Sequence, residues 1–273
     1  MKSSPSLLVV TPTLGDSRYL DQTVESVQTQ PLAICHVLSV PAPRVAELQA
    51  RYPHTIVVPD AGRAGAIYGA LNAALAQAPA GWDWFTYIND DDLLLPGFGE
   101  MARRHLASAN PAPVTYGDVG LIDEEARLLG RITVAPDPRW IPALLQDGIS
   151  PVMQQGMLFH RNTVTRLRAF DLHYRLCADL DFWLRACAAG DRLRYYPVPV
   201  AQFRLRRGQI SGDTAQTERE QEEIVRRLFP ARLSAARRRV TRLRYRLHNL
   251  PRYFERFRAR GVRTSYELLE SAT

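Results

Sequence analysis

The chain has 273 residues, 46% of them hydrophobic, and a net charge of +7 at neutral pH. That length holds one large α/β domain with an extension. No apolar run approaches the ~20 residues needed to cross a bilayer, and the N-terminus, with one Lys and a short apolar stretch, reads as a first strand and not as a signal peptide. Residues 1–215 carry 20 basic against 21 acidic side chains and residues 216–273 carry 15 Arg against 7 acids, which argues against nucleic acid as the ligand of the body.

In chain order, an apolar strand at 7–11 precedes a helix at 19–30, where Leu20, Val24 and Val27 recur at helical spacing. A strand at 34–40, a short helix at 45–51 and a strand at 55–58 follow. Residues 64–78 are Ala-rich and helix-forming. Aromatic and β-branched residues at 84–88 predict a buried strand, residues 93–97 a turn, and 99–108 a helix. The alternation predicts a mostly parallel sheet with helices on both faces, which binds ligands beyond the carboxyl ends of its strands. Thr11-Pro12-Thr13, Pro59-Asp60 and Asn89-Asp90-Asp91-Asp92 fall at that edge. The second half is mixed. A strand pair at 114–119 and 128–133 flanks Asp123-Glu124-Glu125; a strand at 155–160, a helix at 180–189 and a strand at 194–199 follow. Cys35, Cys177 and Cys187 lack metal-ligand spacing and read as reduced thiols of a cytosolic protein.

Three adjacent carboxylates at a strand's end repel one another unless a cation neutralises them. Asp90-Asp91-Asp92 is therefore a candidate site for a hard divalent ion carrying a phosphorylated ligand; a solvated acidic turn is the alternative. At the C-terminus, Leu233, Ala236, Val240, Leu243, Leu247 and Leu250 form one helical stripe among many Arg, and Tyr253, Phe254 and Phe257 add aromatics after Pro251. Such a tail suits an anionic membrane surface. Packing on the body or on another copy of the chain, and RNA binding, are the alternatives.

Several segments together resemble the family 2 glycosyltransferases of the GT-A fold. They are Val9-Val10-Thr11-Pro12-Thr13; Asp60-Ala61-Gly62 with Ala66-Ile67-Tyr68-Gly69-Ala70-Leu71-Asn72; Ile88 to Pro96 as the DXD region; Tyr116-Gly117-Asp118-Val119; Gln155-Gly156-Met157-Leu158-Phe159; Ala178-Asp179-Leu180-Asp181-Phe182-Trp183-Leu184-Arg185; and Gly208-Gln209-Ile210-Ser211. The likeness covers roughly residues 5–215. It implies a GT-A glycosyltransferase domain over 1–215, with a nucleotide-binding half to about 110 and an acceptor-side half beyond, and a basic helical tail over 216–273. It further implies a sugar moved from a nucleotide-sugar donor, most commonly a UDP-sugar, with inversion, onto a saccharide or lipid-linked acceptor. The expected location is the cytoplasm or the inner face of the plasma membrane.

On that resemblance Asp90 and Asp92 are the expected ligands of Mn²⁺ or Mg²⁺, with Asn89 or Asp91 at the ribose. Thr11, Pro12 and Thr13 line the nucleotide pocket, and Asp60 and Arg63 hold the base or ribose. Asp179 is the expected base, with Asp181 as fallback; either Asp could instead cap the helix that follows. Three departures stand out: Ala178 where relatives carry an acid, no acid in Ser39-Val40-Pro41-Ala42-Pro43, and Phe203-Arg204-Leu205-Arg206-Arg207 where relatives often have a His. Arginines there could bind a diphosphate. A nucleotidyltransferase of similar sheet, or a non-catalytic sugar-nucleotide-binding scaffold, are the rival readings; the single glycine in Thr11-Pro12-Thr13-Leu14-Gly15-Asp16 argues against the former.

Overall fold

β1 (Ser6–Pro12) is apolar on both faces, and that is what makes it the centre of the sheet. With side chains alternating along the strand, Leu8 and Val10 point into one core and Leu7 and Val9 into another, all four essentially inaccessible. A computed structural model describes residues 6–62, 66–206 and 214–261 of the chain; Arg63, Arg207 and the Gly208-Gln209-Ile210-Ser211 segment lie outside them.

After β1 come α1 (Leu20–Gln28), β2 (Ile34–Pro41), α2 (Val45–Arg51), β3 (Ile56–Asp60), α3 (Ala66–Gln77) and β4 (Trp82–Tyr87). β1 pairs in parallel with both β2 and β4, and β2 with β3. Then follow β5 (Leu93–Leu94), α4 (Pro96–Leu106), β6 (Val114–Ile122), β7 (Leu128–Arg131), α5 (Ile141–Leu145), β8 (Leu158–His160), α6 (Arg161–Leu167), α7 (Ala178–Ala188) and β9 (Leu193–Arg204). The sheet runs β3-β2-β1-β4-β8-β6-β9-β5, with β7 paired to β6. β8 is antiparallel to both of its neighbours, β6 and β9 are parallel, and the short β5 closes antiparallel onto β9. The architecture is thus an α/β sandwich with a mostly parallel, mixed sheet, as the alternating pattern predicts.

The predicted turn at 93–97 is instead a two-residue strand running directly into a helix that Pro96 opens. Gly97 makes this possible: a Cβ there would lie 2.1 Å from the carbonyl oxygen of Pro199 on β9.

Three C-terminal helices, α8 (Thr214–Leu228), α9 (Ala235–His248) and α10 (Leu250–Arg260), complete the chain. α8 sets Ile224 in the main core with Val225 and Leu228 against it, α9 adds Tyr245, and polar groups pin all three helices. Glu220 on α8 accepts hydrogen bonds from the amides of Arg175, Leu176 and Cys177, holding the segment that leads into α7. Asn249, between α9 and α10, exchanges two hydrogen bonds with the backbone of Val134. Arg252 on α10 reaches the buried Asp118 at 2.7 Å, beside the hydroxyl of Tyr195. Among the described residues, no helix is long and apolar enough to cross a membrane.

Candidate active site

The strand order reverses between β1 and β4, since β2 and β3 extend to one side of β1 and β4 opens the other. In open α/β sheets the crevice at such a reversal, beyond the carboxyl ends of the strands, is the binding edge. Here it is bridged: Thr13, just past β1, donates its hydroxyl to Asp90 Oδ2 at 2.6 Å, just past β4. The same hydroxyl accepts the amide of Gly15, and the Ser17 hydroxyl bonds the carbonyl of Asp90.

The three carboxylates that follow β4 face three different environments. Asp90 sits at the edge with one oxygen on Thr13. Asp91 is buried and ion-paired to Arg206. Asp92 is fully buried; its Oδ1 accepts the amide of Arg204 at 2.8 Å and its Oδ2 accepts Gln155 Nε2 at 3.1 Å and Asn89 Nδ2 at 3.3 Å. Burial, more than the neighbouring Asp91 charge, pushes Asp92 well above the ordinary carboxylate range, while those three donors favour its charged form. Burial also lifts Asp90 to about 6, against the pull of Thr13, with the Asp91 charge adding to the rise.

This has a stability consequence. Asp90's value in the fold lies above its ordinary 3.8, so its contribution is fully present below pH ~4 and is lost as pH rises through about 6. Asp90→Asn keeps the Thr13 bond and removes the charge. Melting curves are expected to coincide with wild type near pH 4 and to show the variant more stable by up to about 3 kcal/mol at pH 7.5. Equal melting temperatures at pH 7.5 would refute the assigned burial cost.

Arg204 organises the loop from below. It is fully buried. Its Nε donates to the carbonyl of Asp91 at 2.8 Å, Nη1 to the carbonyls of Asp123 and Glu124, and Nη2 to Gln22 Oε1 at 2.8 Å. Its guanidinium lies 4.2 Å from the centre of the Tyr19 ring. It joins α1, the acidic loop and the β6–β7 turn.

A second carboxylate, Asp179, stands in the first turn of α7 and accepts the Tyr68 hydroxyl from α3 at 2.9 Å. Burial raises it above the ordinary value, and the hydrogen bonds from Tyr68 and the Leu180 amide oppose that rise. Burial, with the charges of Asp179 and Asp92 adding to it, pushes the hydroxyl of Tyr87, the last residue of β4, well above the ordinary phenol range. Asp181 is different: it is fully buried and locked by Arg185 at 2.7 Å and by Arg227. Neither Asp caps α7, whose N-cap is Cys177.

The sequence matches no family model, and it matches no curated protein. Solved structures do match it in shape. S. aureus TarS 1-349 superposes with a TM-score of 0.60 over 97% of this chain and 77% of that one, at 13% identity; its complex with UDP-GlcNAc gives 0.61 over 96% and 77%, at 13% identity. The mannosyltransferase PcManGT from Pyrobaculum calidifontis, solved with GDP-Man and Mn²⁺, gives 0.58 over 99% and 80%, at 15% identity. The chain has the GT-A fold.

Within the GT-A fold the expected site residues sort as follows. Thr13, Asn89, Asp90 and Asp91 gather at the β1–β4 crevice. Thr11 does not present its hydroxyl there: it is fully buried and bonds His36 on β2 at 3.0 Å, an imidazole that burial holds neutral with a pKa pushed down to about 3. Pro12 closes β1 and is buried. Asp60, at the end of β3, accepts Ser39 Oγ at 2.9 Å and the Gly62 amide at 2.5 Å, which ties β2 to the turn after β3. Asn72 is a strut, exchanging two hydrogen bonds with the backbone of Phe170. Asp92 was expected to ligate metal, but both its oxygens are engaged inside the protein. Arg204, Gln155 and Glu220 were not assigned these roles; their partners are dozens of residues away, with no local signal. A separate cavity of about 590 Å³, lined by Asn110, Asp137, Cys187 and Arg192 among others, lies beside the starts of β6 and β9, at the opposite edge of the sheet.

Among the described residues no three His, Cys, Asp or Glu side chains converge as a ready metal cage. The crevice does fit an oxygen-ligated cation. Asp90 and Asp91 each engage one oxygen with the protein groups named above, and Asn89 Oδ1 is buried without a hydrogen-bond partner. Mg²⁺-type ions are commonly held by one or two carboxylates, with substrate phosphates and water completing the shell.

Proposed function

We propose that the protein transfers a sugar from a nucleotide-diphosphate donor, a UDP-sugar, to a hydroxyl of a saccharide or lipid-linked acceptor, with inversion at the anomeric carbon. What supports this reading is an acidic loop, Asp90–Asp91, tied across the β1–β4 crevice of a GT-A fold by Thr13, together with a second carboxylate, Asp179, held by the Tyr68 hydroxyl at the start of α7. Solved proteins of similar shape hold UDP-GlcNAc or GDP-Man.

Asp90 and Asp91 are the residues that would hold Mn²⁺ or Mg²⁺, which when bound supplies Lewis-acid neutralisation of the departing diphosphate. Arg206, already paired with Asp91, offers a planar guanidinium to a phosphate oxygen pair. Thr13 and Asn89 line the same crevice and orient the nucleoside. Asp179 accepts the proton of the attacking hydroxyl. Its raised pKa brings it nearer to neutrality, where a general base transfers protons best. A retaining double displacement would need a carboxylate nucleophile, and Asp181 is locked in ion pairs. Single displacement with inversion is the route these residues favour.

Thermal shifts with UDP-, GDP-, dTDP- and CMP-sugars, each with and without Mn²⁺, test the donor. A UDP-sugar at a hundred times its Kd is expected to stabilise the fold by about 2.7 kcal/mol, and more weakly without metal. Stabilisation by GDP-sugars alone would replace the donor class. No response to any donor would leave a fold without this activity.

A further inference from the structure

α9 and α10 are attached to the body by the wrong face for an ordinary amphipathic helix. Their docked side carries Arg238 against Asp147, then Thr241, Arg242, Tyr245, Asn249, Arg252 and Arg256. The apolar stripe lies on the opposite side. At about 100° per residue, Val240, Leu243, Leu247 and Leu250 fall together, and Phe254 and Phe257 occupy the corresponding positions of α10. All six are 50–60% exposed; the guanidinium of Arg258 lies over the Phe254 ring. Arg237 and Arg244 border the stripe of α9 on one side and Arg239 and Arg246 on the other; all four are exposed.

From this arrangement we infer that α9 and α10 form a membrane-docking face that lies in the interface of an anionic bilayer. Apolar side chains enter the acyl boundary, and flanking guanidiniums, carried on stems that lie along the apolar surface, reach the lipid phosphates. The charge selects this occupant. The +8 of residues 216–273 stands against −1 for the rest of the chain, so attraction to anionic lipid is concentrated on this segment. A second copy would bring two Arg-bordered stripes face to face and repel. The body cannot cover the stripe, because the reverse face already makes the body contacts.

The test is co-sedimentation of the full chain with vesicles of phosphatidylcholine, alone or mixed with phosphatidylglycerol. Binding to the mixed vesicles only, weakened by salt, is expected. Leu243→Glu with Leu247→Glu should reduce partitioning by tenfold or more, given about 1.5–3 kcal/mol for each buried Leu. Arg237→Gln with Arg244→Gln should reduce it roughly fivefold per residue. Both pairs are exposed, so unchanged melting curves are expected and confirm folding. Failure to bind mixed vesicles, or full binding by the Leu pair variant, overturns the inference. So does a light-scattering mass of two copies that the Leu pair variant halves, because the stripe would then be an interface between copies.

Discussion

Asp179→Asn is expected to slow sugar transfer by about 10²–10⁴-fold while leaving donor affinity within a factor of two or so. Asn is isosteric and still accepts the Tyr68 hydroxyl, so the 2.9 Å contact and the start of α7 persist. Only the capacity to take a proton is lost. The reading is checked by measuring kcat and donor Kd separately on the same preparations; a variant that turns over at the wild-type rate removes Asp179 from the chemistry. A pH profile adds an independent test. Burial raises Asp179 above the ordinary carboxylate value, so kcat/KM should climb with pH through that raised value as the base ionises. Tyr68→Phe deletes a hydrogen bond that favours the charged form, and the rising limb should move to higher pH. A loss of activity in Tyr68→Phe without that displacement would mean the phenol serves only packing.

Arg204→Ala is expected to cost about 3–5 kcal/mol of stability. The backbone amide that holds Asp92 survives the substitution, but the carbonyls of Asp91, Asp123 and Glu124 lose their donor and a large buried volume empties. Unpaired buried carbonyls and a cavity each penalise the fold. Urea unfolding should show a lower midpoint at an unchanged m-value, and the variant should lose donor-induced thermal stabilisation because the acidic loop is no longer held. Arg204→Lys should recover little, since an ammonium cannot span the separate acceptors that the guanidinium fork reaches. A variant as stable as wild type would show that the loop stands without this support.

Much of the frame was legible because it rests on local rules. The alternation of apolar strands and amphipathic helices in the first half is a period that a sequence displays directly, and α2 spans the expected residues 45–51. The acidic loop was legible as a location, since it follows a buried strand. What was not legible is direction. Whether Asp92 faces a ligand or the interior depends on Arg204 and Gln155, far along the chain, and nothing near Asp92 announces them. The fate of Thr11 depends in the same way on His36. The tail shows the limit most clearly. Its apolar stripe was visible in the spacing, yet the side that docks is chosen by Asp118, Asp147 and Val134 on the body, whose buried polar groups select an Arg- and Asn-bearing face.

The carboxylate that Glu220 lends to the amides of residues 175–177 also orders events during synthesis. The helix bearing Asp179 leaves the ribosome before the group that holds the segment leading into it. Nascent chains arrested before α8 would therefore carry every proposed site residue and still lack a settled entry to α7. That segment would settle only once α8 has been made.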